Sequence, residues 1–151
     1  SYCNQPIAIG KAETPMFVLN YLAVPTTEFD RLAADDDQVD TVHELLESAE
    51  YPTTDIDKAW GPLSMVVGES PIMGAIAGTQ EWDEEVTANP PALVAEQAAA
   101  LAAADGVQLA AAANELDPDT PPEYVAAAVA ELTRFYQAAA DRGDAIIIVV
   151  N

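Results

Sequence analysis

Four residues of types that could do chemistry stand close together: Asp55, Asp57, Lys58 and Trp60. Two carboxylates, an ammonium and an indole can hold a polar ligand against an aromatic face. On a helix, however, Asp55 and Asp57 are about 200° apart. They cannot both face one ligand while Ile56 and Trp60 face a core. The structural reading places both Asp in a first helical turn, where the dipole favours anions. Thr54 or Asp55 then caps, and Lys58 pairs with a carboxylate elsewhere. A Trp60 that lines a cleft beside Asp57 and Lys58 favours the ligand reading, and a buried Trp60 favours the structural one.

Other constellations are incomplete. Asp35-Asp36-Asp37 with Asp40 suggests calcium, but a calcium loop needs a glycine at its sharp turn, and no Gly lies between Arg31 and Glu50. A solvated, helix-capping acidic turn fits instead, with weak, nonspecific divalent binding left open. His43-Glu44-Leu45-Leu46-Glu47 begins like H-E-x-x-H, yet Glu47 stands where the second His belongs and the chain has one His. His43 falls on the apolar side of its stretch and reads as a boundary residue. Cys3 and His43 lack a framework for a thiol dyad. Gly68-Glu69-Ser70 runs into Pro71 rather than completing a nucleophile elbow. Gly68, Gly74 and Gly78 are not arranged as a phosphate loop. Tyr124, Phe135 and Tyr136 are spaced as core residues of a helix. No metal and no cofactor is expected.

The chain has 151 residues with 26 Asp plus Glu against five Lys plus Arg, a formal net charge of −21. Lys11, Arg31, Lys58, Arg134 and Arg142 are scattered singly, so there is no basic footprint for nucleic acid or an anionic membrane. Residues 1–75 carry 13 acids and three bases, and residues 76–151 carry 13 and two. An even spread fits surface adaptation rather than a charged tail. Thirty Ala against two Lys suit a high-GC genome or a salt-rich cell. Half of the residues are apolar, enough to bury a core. The longest apolar run near a terminus, Ala145 to Val150, is far short of the roughly 20 residues of a membrane helix. With a single Cys and no leader pattern, the expected compartment is the reducing cytoplasm.

The elements that must position these residues follow from periodicity. Residues 1–15 read as an extended arm, and Met16 to Val24, bounded by Pro15 and Pro25, as a buried strand. Thr26 or Thr27 caps a first helix. A second, from about Gln38 to Ala49, presents Val39, Val42, His43, Leu46 and Ala49 on one face. Ile56, Ala59, Trp60, Leu63, Val66 and Val67 form a third stripe, with a kink or break expected at Pro62. Residues 68–78 read as a turn and a short helix, and 79–91 as a polar connection. Ala92 to Ala104 is a strong intrinsic helix. Residues 114–122 read as a loop, and 121–142 as the clearest helix, stopped at Gly143. Ala145 to Val150 reads as a fully buried strand. The expected class is α+β or mixed α/β, a small sheet with strands near both chain ends, covered by helices.

Asp55-Ile56-Asp57-Lys58-Ala59-Trp60, followed by Leu63 and Gly68, resembles the D-I-D-K-x-W signature of the YfbM-like family, a bacterial family of unknown function. Pro71 to Gly78 is similar to the family's P-L-x-x-A-I-x-G segment. Leu132, Phe135, Tyr136, Ala139 and Gly143 are similar to its late helix, Ala145 to Val150 to its last strand, and Met16 to Leu32 to its opening strand and helix. Pro62 and the Ala-rich stretch 92–113 depart from the pattern. The resemblance implies one small cytoplasmic α+β domain over residues 16–151, with 1–15 as an extension. It implies no activity, cofactor or catalytic residue. Two functional readings remain. One is a non-enzymatic module, monomer or homodimer, that binds a protein or a small ligand; the other is a carboxylate-based hydrolase, with or without Mg²⁺.

Overall fold

The structure is a computed structural model and describes residues 17–151; the expected arm over 1–15 lies outside the described residues. The elements run β1 (Leu19–Val24), α1 (Thr26–Ala33), α2 (Gln38–Ser48), β2 (Thr53–Asp55), α3 (Trp60–Ser64) and α4 (Pro71–Ala77). They continue with β3 (Gln80–Asp83), β4 (Val86–Asn89), α5 (Pro91–Ala103), α6 (Gly106–Leu116), α7 (Pro122–Arg142) and β5 (Ala145–Val150). The sheet order is β2-β1-β5-β4-β3, and every neighbouring pair is antiparallel. This is an α+β fold.

The two apolar runs seen in the sequence form the central pair, in register from Leu19 opposite Val150 to Val24 opposite Ala145. Their sequences are apolar throughout because both faces of the sheet are covered. Side chains alternate across a strand. Tyr21, Ala23, Ile146 and Ile148 pack with α3 to α7, while Leu22, Val24, Ile147 and Val149 pack with α1 and α2. The layers are therefore helix, sheet and helix. All seven stripe residues of α7, from Val125 to Ala139, are buried. Gly143, at φ 76°, ends that helix in the left-handed conformation that glycine adopts without steric cost.

Several local expectations change. The 79–91 stretch is a hairpin, β3 and β4, rather than a connection, and α6 carries the helix through Leu116, beyond the expected loop start at 114. The third stripe is mostly not helical: α3 begins only at Trp60. Pro62 therefore lies in a first turn, where backbone N–H groups have no intrahelical partner, and it is accommodated there without interrupting a longer helix. The chain enters α1 from Pro25, so neither Thr26 nor Thr27 is the cap.

Candidate functional site

Asp55, Asp57 and Lys58 do not share a helix turn. Asp55 ends β2, and its Oδ1 accepts the backbone N–H of Asp57 at 2.9 Å, an Asx turn. Asp57 follows with φ 51°, a left-handed conformation that Asp tolerates better than most residues. Tyr124 of α7 closes the turn: its hydroxyl donates to Asp57 Oδ2 at 2.8 Å and accepts from the Lys58 backbone N–H at 2.9 Å. Burial, and then the bond to Asp57, hold the Tyr124 hydroxyl above its ordinary pKa, so it remains a donor at neutral pH. Thr54 is a strand residue whose Oγ1 donates to Glu131 Oε2 at 2.6 Å, not a helix cap. The expected ion pair of Lys58 is also absent among the described residues. The cluster thus ties β2 and the turn after it to α7.

Trp60 goes elsewhere. It is half-buried, its ring stacked on Phe17 with centroids 5.0 Å apart and planes 16° apart, and its Nε1–H donates to the Phe17 carbonyl at 3.3 Å. With Phe17 it walls a cleft of about 410 Å³. The floor is Leu19, Ile148 and Val150, on the sheet face that packs against α3 to α7, and Met73, Ile76 and Ala77 of α4 form another side. Glu84 and Glu85, in the turn between β3 and β4, make its lip. Asp55, Asp57 and Lys58 do not line it. The sequence pointed to Trp60 but not to Met73, Glu84 or Glu85. The alternation Val86-Thr87-Ala88 was the available signal for the strand that brings the lip into place.

The position of α4 sets the shape of this cleft. The last four carbonyls of a helix are short of intrahelical partners, and in α4 each receives a side-chain donor, Gly74 O in addition to the backbone N–H of Gly78 at 2.7 Å. Asn89 Nδ2 donates to Gly74 O at 2.9 Å, Tyr136 OH to Ala75 O at 2.6 Å, Tyr21 OH to Ile76 O at 2.7 Å and Thr87 Oγ1 to Ala77 O at 2.7 Å. Asn89 is fully buried, and its Oδ1 accepts from both the backbone N–H and the hydroxyl of Thr79. Burial pushes the Tyr21 and Tyr136 hydroxyls well up in pKa, which keeps them protonated donors. The segment compared above with P-L-x-x-A-I-x-G is thus a helix whose C-terminal end is held by two strands, β1 and β4, and by α7.

Carboxylate chemistry of the acid–base kind calls for a carboxyl raised in pKa within a cleft. Among the described residues, the carboxyls with a distinct shift move the other way. Hydrogen bonds from the Thr41 side chain and the Asp37 backbone hold Asp35 down, and hydrogen bonding by Arg134 does the same for Glu131. No group of three or more His, Cys, Asp or Glu among the described residues is placed to hold a metal ion. Asp35, Asp36, Asp37 and Asp40 line a shallow acidic depression with Trp82. His43 is a boundary residue as expected, with Nε2 3.9 Å from Glu85 Oε1. No helix among the described residues is long and apolar enough to cross a membrane.

These features define a class: small α+β proteins with a five-stranded antiparallel sheet between helical layers and an apolar cleft at one end of the sheet. Within that class the chain belongs to the family defined by the domain of unknown function DUF1877, whose profile matches residues 16–149. It is similar in fold to YfbM from Escherichia coli, described as a protein of unknown function. The TM-score is 0.65 at 16% identity, covering 89% of this chain and 99% of that one. No curated protein matches the chain.

Proposed function

We propose that the chain is a non-enzymatic binding module of the cytoplasm, built on residues 16–151, whose site is the cleft beside Trp60. The observation that carries this reading is the cleft itself. Ligand pockets are concave, mostly apolar and of roughly 300–1,000 Å³, and this one is about 410 Å³ with an aromatic wall and an aliphatic floor. Of the residues singled out in the sequence, Trp60 lines the cleft, while Asp55, Asp57 and Lys58 lie outside it, bound to one another and to Tyr124.

Trp60 also reports on the site. In a W82F variant it is the one remaining indole of the chain. Titration with 1-octanol is expected to change its emission saturably. Ala77 is exposed and lines the cleft, so A77F fills the space from outside the core and abolishes the response. A linear, unsaturable change, or an unchanged response in a folded A77F chain, overturns the reading.

A further inference from the structure

Resting on that reading, we propose that the ligand of the cleft is a cationic amphiphile, a small apolar body bearing an ammonium group. The inference comes from which hydrogen-bonding groups around the cleft are already engaged. Trp60 Nε1–H is bonded to the Phe17 carbonyl, the Ser64 hydroxyl to the Gly61 carbonyl and the Thr87 hydroxyl to the Ala77 carbonyl. Every side-chain N–H or O–H donor lining the cleft is therefore turned into the protein. What remains toward a ligand is acceptor capacity: the lone pairs of the two hydroxyls and the carboxylates of Glu84 and Glu85 at the lip. Glu84 is exposed and has no hydrogen bond or ion pair among the described residues; the carboxylate of Glu85 has His43 3.9 Å away. A carboxylate or phosphate finds no side-chain donor there and meets like charge. An ammonium supplies three donors and the opposite charge, while its apolar body covers Leu19, Ile148 and Val150.

The net charge of −21 attracts any cation, so the test must separate the lip from the surface as a whole. Octylammonium, 1-octanol and octanoate, which share one chain length, are titrated into the 151-residue chain by calorimetry at low ionic strength. The expected order is octylammonium tightest, by about fivefold over octanol for one carboxylate contact near 4 Å in water, with octanoate weakest. In E84Q/E85Q the advantage of the amine disappears. In E44Q/E96Q, which removes the same charge from exposed sites outside the cleft, it persists. Equal affinity for the amine and the alcohol, or an amine advantage that survives E84Q/E85Q, overturns this inference and leaves the apolar cleft as a binding site. Failure of all three compounds to bind overturns the binding-module reading as well.

Discussion

Tyr136 shows how one hydroxyl can hold two elements together. Its ring lies in the stripe of α7, which was legible from spacing. Its hydroxyl donates to Ala75 O and accepts from Asn89 Nδ2 in a fully buried place, which was not. Y136F keeps the packing but leaves a buried carbonyl without its donor, and the expected loss is about 1–3 kcal/mol, read by urea unfolding. The same burial makes stability depend on alkaline pH. An unfolded tyrosine releases its proton near its ordinary pKa of 10.0, whereas folded Tyr21 and Tyr136 hold theirs to higher pH. Above about pH 10 the unfolded state thus binds fewer protons, and stability falls as pH rises. That contribution is fully present below pH 10. Urea midpoints between pH 8 and 11 should show the decline, and Y21F and Y136F should each lessen its slope. Asp57 teaches the complementary lesson. Its residue type suggested a ligand or a helix turn, but its left-handed backbone and its bond to Tyr124, 67 positions away, could not be read from neighbours in sequence.

Elements were legible where one local signal dominated. α7 has a clean apolar stripe and a glycine stop, and β1 and β5 are continuous apolar runs. The β3–β4 hairpin was hidden because β3 is an edge strand of polar and acidic residues, Gln80-Glu81-Trp82-Asp83, with a bulge between Glu81 and Asp83. Charged edges and bulges are what keep an exposed strand from pairing with other chains, and they also erase the alternation by which a strand is recognised. The turn that carries Glu84 and Glu85 to the lip of the cleft was hidden with it. The junction between α4 and this hairpin is tightly constrained at Gly78, which has φ 88°, and where a Cβ would meet Thr87 Oγ1 at 2.1 Å. G78A is expected to cost about 3 kcal/mol or more from strained backbone and displaced Thr87 together. In α3, by contrast, a Cβ on Gly61 meets nothing within 4 Å, so G61A should be neutral or stabilising by up to about 1 kcal/mol. Thermal denaturation of the two variants side by side checks both.

For the molecule as a whole, electrostatics opposes folding and burial favours it. Arg31, Arg134 and Arg142 are each paired with a carboxylate, to Glu28, Glu131 and Asp144, so little positive charge is left to offset the acidic surface. Two apolar cores on opposite faces of one sheet should nevertheless hold the fold without screening. The chain is expected to keep its far-UV helical signal in 10 mM salt and to gain in urea midpoint on going to 0.15 M, as the Debye length falls from about 30 to about 8 Å. A chain that is unfolded at low salt would instead depend on screening. Composition, periodicity and a single run of motif residues narrowed the class to α+β or mixed α/β and determined the central strands, the long helix and the scattering of the few basic residues, because these depend on residue type and on spacing within one element. Only the tertiary structure decided that Trp60 leaves its motif neighbours to wall a cleft, and that the end of α4 is held by Tyr21, Thr87, Asn89 and Tyr136. The physical reason is that a cleft and a buried hydrogen bond are properties of distant segments brought together, and no local pattern encodes which donor meets which carbonyl.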